Sequence, residues 1–408
     1  MRIFTAVRHA RDPVNFHGDL WSGNFYPALR TLGHEIVESQ VDLSPVSRFM
    51  HVGHGFTPQE LEARARTTQA ILDEVIDAHR RQPIALFLSY FYNAHFDPGG
   101  FERLSALGIP TVNFYCNSIH QFDLVDAIAA KAEFSWHPEK DARSRYLAAG
   151  ARPVWVQMGA DPILYHPVDG VVRQQRLAFI GQRYADRDRW LAAAIAAGLP
   201  VDIYGAGWQP AFASESGHSG APPAVYLGRG ATVAGTWSSY LDVARQVLRR
   251  DGALGGAVRL VRQWRYRSES QRLAPIVARS ARGSVPVGAF AETVARYAVH
   301  INLSNVWADG LPCSALVPHV RLRDFEIPMC RAAYLTAHTA EIEDCYDSGK
   351  EIETYRSREE FIDKARYLVG HTAYAERLRE AGYARARADH TWARRMALLF
   401  DRIGLRPA

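Results

Sequence analysis

The chain has 408 residues, 48% of them hydrophobic and 22% charged, and it carries a net charge of +5. At roughly 100–200 residues per domain this is two domains, each long enough to bury its own core. No run approaches the ~20 apolar residues of a membrane span, and the mild basic excess suits phosphate-bearing ligands, nucleic acid or an anionic membrane alike.

In chain order, MRIFTAV reads as a strand and HGDLWSGN as a polar, glycine-bearing loop. FYPALRTLG reads as a helix closing at Gly33, and HEIVES as the next strand. QELEARARTTQAILDEVIDAHRRQ is a long amphipathic helix, and PIALFLSYF a buried strand. GGFERLSALGI, PTVNFYC, AEFSWH, EKDARSRYLAAG and RPVWVQMG continue the alternation of helix and strand. This predicts one doubly wound α/β domain over residues 1–168. DPILYHPVDGVVRQQ is a linker, after which the pattern restarts with the strand RLAFIGQ, the helix DRDRWLAAAIAAGL and the strand PVDIYGAG. HINLSN, AAYLTA and EIETY are further strands, and SREEFIDKARYLVG and AYAERLREAGYARARADH are helices. A second α/β domain over 169–385 follows, with residues 386–408 as a terminal helix. Residues 210–290 are too long for a connection and predict an insertion with structure of its own. Its later part is helical and rich in arginine. Val243, Val247, Leu254, Val258 and Val261 give it an apolar spacing that suits packing on its own domain first, and an anionic membrane second. The four cysteines, Cys116, Cys313, Cys330 and Cys345, have no metal-type pair spacing, which fits a reducing compartment. The N-terminus lacks the apolar core of a signal peptide, so a cytoplasmic location is expected, with peripheral contact at the inner membrane face through the basic insertion.

Open α/β sheets bind ligands beyond the carboxyl ends of their strands. In the first domain this selects His17 and Asp19 in HGDLWSGN, as base or hydrogen-bond partners or as a plain helix-capping loop. It also selects His120 in VNFYCNSIHQFD, which could bond sugar hydroxyls or take a proton. In the second domain, Gly181 and Arg183 in AFIGQRYADRDRWL precede a helix, where a guanidinium suits a diphosphate. Arg187 lies in the same stretch, with Asp186 and Asp188 as alternative partners for it. Tyr204 and Gly205 lie at the close of PVDIYGAG, and Asn302, Ser304 and Asn305 lie in HINLSN. Glu326 stands in the first turn of the helix in VRLRDFEIPMC, beside Arg323 and Phe325. A carboxylate is favoured there by the helix dipole alone; it could also accept two hydroxyl hydrogen bonds from a ribose.

From this point the sequence resembles the CgeB-type glycosyltransferases, akin to glycosyltransferase group 1. The residues that carry the likeness are Arg323, Phe325–Glu326, Thr336 with Glu341, Gly349–Ile352 with Tyr355, and His390–Thr391. FIGQRYADRDRWL and IYGAGW resemble earlier blocks of the family. The resemblance, which covers most of the chain apart from the insertion, implies a GT-B fold, two Rossmann-like domains with a cleft between them; the basic helical insertion then falls in the second. It implies that the second domain binds a nucleotide-sugar donor and that Glu326 grips the ribose with Arg323 nearby. It implies a terminal helix around Trp392 that returns to the first domain. It also implies no metal and no cofactor beyond the nucleotide-diphosphate sugar as co-substrate. The chain departs from the pattern twice. The position eight before Glu326, where retaining members carry another glutamate, is Pro318, and a closing Cys-Gly is Cys330-Arg331 here. Inversion would need a base, for which Asp19, His17 and His120 are the candidates. The acceptor is unspecified: a glycan, a lipid-linked molecule or a small molecule. Two rival classes remain. One is a nucleic-acid-binding protein, or a glycosyltransferase acting on modified nucleic acid, using the arginines with Trp264 and Tyr266; nucleic acid is the least favoured partner. The other is a non-catalytic sugar- or nucleotide-binding protein.

Overall fold

The computed structural model describes residues 1–7, 20–209, 237–286, 288–310 and 312–405, without the side chains of 237–247, 249 and 250. The chain divides into two compact units. The first is Met1–Asp161 with the C-terminal segment from Thr391, and the second runs from Pro162 to His390. The chain leaves the second unit at His390, one residue beyond the helix Thr372–Asp389.

The first unit holds a six-stranded sheet built from β1 (Arg2–Thr5), β2 (Glu35–Glu38), β3 (Leu86–Ser89), β4 (Thr111–Phe114), β5 (Phe134–His137) and β6 (Pro153–Trp155). The spatial order is β2-β1-β3-β4-β5-β6, and every pair is parallel. Parallel neighbours require crossovers, and helices supply them. Strands covered on both faces read as apolar runs, and all four residues of each of β3, β4 and β5 are buried. The longest crossover, Pro58–Arg81, opens on a capping box in which Thr57 and Glu60 satisfy each other's backbone N–H. It closes on His79, Arg80 and Arg81, whose charges suit a helix C-terminus.

HGDLWSGN differs from the loop expected of it. From Leu20 the described chain is already helical, and a wide turn over Trp21–Phe25 runs directly into the helix Tyr26–Thr31. Aromatic burial explains the difference. Trp21 and Phe25 are almost wholly buried, and Phe25 packs edge-on against Trp392 with ring centroids 4.6 Å apart. The Trp392 indole N–H donates to Asn24 Oδ1 at 3.0 Å. The terminal helix Trp392–Arg402, capped by Thr391, is thereby keyed into the first unit.

The second unit is built on β7 (Gln174–Ile180), β8 (Val201–Tyr204), β9 (Tyr297–Ile301), β12 (Ala333–Ala337) and β13 (Glu353–Tyr355), in the order β13-β12-β9-β7-β8 and parallel throughout. A small antiparallel hairpin, β10 (Val306–Trp307) with β11 (Leu316–Val317), stands between β9 and the helix Arg323–Met329. Leu177, Phe179, Val201, Ile203, Val299, Ile301 and Leu335 form the centre of the core.

The basic segment is a helical stretch, Trp237–Ala278, broken at Gly252, whose backbone is non-helical at φ 71° and ψ 174°. The chain doubles back there: a Cβ on Gly256 would lie 2.9 Å from the Leu248 Cα. The part after the break packs on its own unit, but not through the expected apolar stripe. Leu254 is 86% exposed, and Val258 and Val261 are about half exposed. The inward face is polar and aromatic instead. Tyr266 donates to the Ala185 carbonyl at 2.6 Å, Gln263 is buried, and Val277 enters the core. Val243 and Val247 have side chains outside the described set. Among the described residues, no helix is long and apolar enough to cross a membrane.

Candidate functional site

The C-terminal ends of β7, β8 and β9 bring the second-unit candidates together. Gly181 follows β7 and donates its N–H to the Tyr204 carbonyl at 2.9 Å. Gly205 follows β8 with φ +127°, and a Cβ there would lie 2.4 Å from the Gly181 carbonyl oxygen. Both the positive φ and the approach exclude a side chain. Gly205→Ala is therefore expected to cost about 2–4 kcal/mol, read as a lower urea midpoint. An unchanged midpoint would show that the two turns can separate without loss.

The loop from Gly181 to Asp186 is held under strain. Ala185 sits at φ 49°, in the left-handed region that non-glycine residues avoid. Its carbonyl is fixed by Tyr266. Arg183 is engaged within the protein. Its guanidinium pairs with buried Asp188 at 3.1 Å and bonds the Ser270 carbonyl and hydroxyl, each at 2.6 Å. It ties the loop to the basic helix. The charge available at this helix entry belongs instead to Arg187, the first residue of the helix Arg187–Ala196. Arg187 donates to the carbonyls of Leu303 and Gln182, each at 2.8 Å. Burial, aided by the nearby charge of Arg321, pushes its guanidinium down to about 10. The Arg321 charge and the Asp186 carboxylate act on Arg187 in opposite senses, and burial outweighs both.

Tyr204 turns its hydroxyl to Tyr297, 2.8 Å away, and Tyr297 donates to buried Asp202. Tyr204 is thus part of the sheet's polar packing. After β9, Asn302 and Ser304 are buried, and Asn305 donates to Asp186 at 2.9 Å. The other Asp186 oxygen, Oδ1, is buried without a hydrogen-bond partner.

The helix Arg323–Met329 brings Glu326 to this edge. Glu326 is 3% exposed and ion-paired with Arg323, whose guanidinium lies 4.7 Å from the centre of the Phe290 ring. Phe325 is unavailable to a donor, because it is fully buried against Tyr346 and His390. Helical spacing places 325 and 326 about 100° apart, so they cannot share a face. Arg331, where the family pattern has glycine, adopts φ 56° just past the helix end. The backbone there has the left-handed shape of a helix C′ position even without glycine.

Sequence reasoning missed Asp324. This carboxylate is 1% exposed and accepts from Asn302, Tyr334 and Thr336 on one oxygen, and from the Arg321 N–H on the other. It binds the start of the helix to β9 and β12. Its partners lie up to 22 residues away in the chain, so no local pattern announces them. A second buried carboxylate, Glu139, caps the short helix Ser118–Gln121 in the first unit by accepting from the Ser118 and Ile119 N–H groups. His120 lies on that helix, half-buried. His17 and Asp19 lie outside the described residues.

Comparison with known proteins agrees with this architecture. The sequence model of the glycosyl transferase-like family matches residues 238–401. No curated protein matches the chain at a significant level. Among solved structures, sucrose-phosphate synthase from Thermosynechococcus elongatus is similar at 10% identity over 99% of both chains, with a TM-score of 0.58. A glycosyltransferase from Rickettsia africae is similar at 10% identity over 100% of this chain and 99% of its own, with a TM-score of 0.57. HepE from Anabaena, solved with UDP-glucose, is similar at 12% identity over 99% of both, with a TM-score of 0.54. The α/β fold with parallel sheets is that of the GT-B glycosyltransferases.

Proposed function

We propose that the chain is a glycosyltransferase that moves a sugar from a nucleoside diphosphate sugar to an acceptor hydroxyl. The observation that carries this reading is the convergence of Arg187 and Arg321 with the helix bearing Glu326, on loops beyond the C-terminal ends of one parallel sheet. In the proposal, Arg187, Arg321 and the N-terminus of the helix Arg187–Ala196 hold the diphosphate without a metal. Basic side chains and helix N–H groups meet phosphate oxygens with complementary charge and donors. Glu326 accepts the ribose hydroxyls, with its carboxylate oriented by Arg323. His120, His17 and Asp19 remain the candidates for a base on the acceptor side. The match to the glycosyl transferase-like family and the UDP-glucose bound by the similar HepE structure support the donor class. They do not extend to the CgeB type, which rests on the sequence motifs, nor to the acceptor.

The test is a thermal-shift panel of UDP, GDP, TDP and CDP, each with and without EDTA. A rise in melting temperature with one diphosphate, unchanged by EDTA, is the expected result and names the donor class. No shift with any of the four, or a shift abolished by EDTA, would overturn the metal-free donor site. Arg321→Ala is expected to weaken binding of that diphosphate roughly tenfold or more, at a charge-assisted bond's 1.5–3 kcal/mol. It should weaken the matching monophosphate less. Calorimetry distinguishes the two, and equal losses would remove Arg321 from the diphosphate.

A further inference from the structure

The part of the basic segment beyond Gly252 has two faces. Gln263, Tyr266, Ser270 and Val277 turn inward. The opposite face carries Leu254, Val258, Val261 and Trp264, which are 86%, 52%, 51% and 70% exposed. Their spacing of four, three and three residues keeps them on one stripe, about 15 Å long at the helical rise. An exposed apolar stripe of this kind marks a surface for something else.

Its surroundings say what. Arg262, Arg265, Arg272 and Arg279 are exposed on or beside the same face. Over residues 251–278 both carboxylates are paired: Asp251 with Arg259 at 2.7 Å, and Glu269 with Arg189 at 2.7 Å. The outward face is therefore apolar along its middle and positive along its margins. The break at Gly252, where the chain doubles back, places Leu248 and Leu254 near its tip, both exposed. A protein partner could match the apolar stripe, and a nucleic acid the arginines. A surface of anionic phospholipid offers both: acyl chains beneath and phosphates around. Tryptophan is also at home at that boundary, with an apolar body and a polar N–H.

We infer that this face docks on an anionic lipid bilayer, with Leu254, Val258, Val261 and Trp264 entering the headgroup–acyl boundary and the flanking arginines meeting lipid phosphates. The inference rests on the exposed face alone and stands independently of the transferase reading.

The experiment is flotation of the full chain with vesicles of phosphatidylcholine alone, and of equal parts phosphatidylcholine and phosphatidylglycerol. The wild type should float with the anionic vesicles only, and salt should release it. Leu254→Ser/Val258→Ser/Trp264→Ser should lose roughly tenfold or more of the partition while its melting temperature holds. Arg262→Glu/Arg265→Glu, which reverses two charges, should lose roughly thirtyfold or more. The difference in emission between wild type and Trp264→Phe should shift to the blue on binding. Absence of wild-type binding to the anionic vesicles would overturn the proposal, as would equal binding by the serine variant. A wild-type dimer that the serine variant converts to monomer would assign the face to a second copy instead. Salt-sensitive DNA binding without vesicle binding would assign it to nucleic acid. Each of these two outcomes overturns the lipid proposal as well.

Discussion

Asp324→Ala should destabilise the second unit by about 3–5 kcal/mol, the largest effect expected of any single substitution in it. The carboxylate accepts from Asn302 Nδ2 at 3.1 Å, Tyr334 Oη at 2.9 Å, Thr336 Oγ1 at 2.8 Å and the Arg321 N–H at 2.7 Å. Removing it strands several buried donors at once, in a region where water cannot replace it. Against a total stability of roughly 5–15 kcal/mol this is a large share, and urea unfolding measures it directly. Thr336→Val removes one of the donors and should cost only about 1 kcal/mol. A similar, small loss for both variants would mean that the network is not the anchor of the helix.

The same carboxylate gives a pH dependence. Burial raises its pKa, and the hydrogen bonds from Arg321 N–H, Thr336, Tyr334 and Asn302 oppose that rise. Between the ordinary aspartate value and the raised one, the folded state holds a proton that the unfolded state has lost. Stability from this group therefore falls as pH rises through that window, and is level above it. Asp324→Asn should flatten that slope.

Glu326→Gln should weaken nucleoside diphosphate binding roughly tenfold to a hundredfold, from the loss of charge-assisted bonds worth 1.5–3 kcal/mol. Glu326→Ala should do the same. The fold should survive Glu326→Gln. Arg323 loses its partner, but it is partly exposed and remains stacked on Phe290, so the stability cost should stay near 1 kcal/mol. Calorimetry with the diphosphate selected by the thermal-shift panel is the measurement. Unchanged affinity in a folded variant would remove Glu326 from the site and leave it as a helix-start carboxylate.

The strands of both sheets were legible because buried parallel strands are short apolar runs that end in glycine or polar residues. RLAFIG and VDIYG announce β7 and β8 in this way. The position of Glu326 near the start of a helix after β9 was legible, since a carboxylate is favoured in a first turn. Sequence favoured Arg183 over Arg187 as the diphosphate residue. The tie of Arg183 to Ser270, 87 residues on, is one that no local pattern announces. Asp324 and Glu139 were not legible, since a buried carboxylate is defined by distant donors rather than by neighbours. The orientation of the basic helix failed for another reason. Its period was right, but the face it buries is held by Tyr266 and Ser270 through hydrogen bonds, so hydrophobicity pointed to the wrong side.

The loop beyond β7 leans on its own sheet, through Gly181 and Arg183 N–H bonds to the Tyr204 and Ala206 carbonyls, and on the basic helix as well. Tyr266 holds the Ala185 carbonyl, Ser270 holds Arg183 and Asp188, and Glu269 holds Arg189. All three anchors stand on one turn of the basic helix. That turn acts as a splint. Any shift of the helix along its axis or about it must strain these bonds or carry the loop, and with it the entrance of Arg187, along with it.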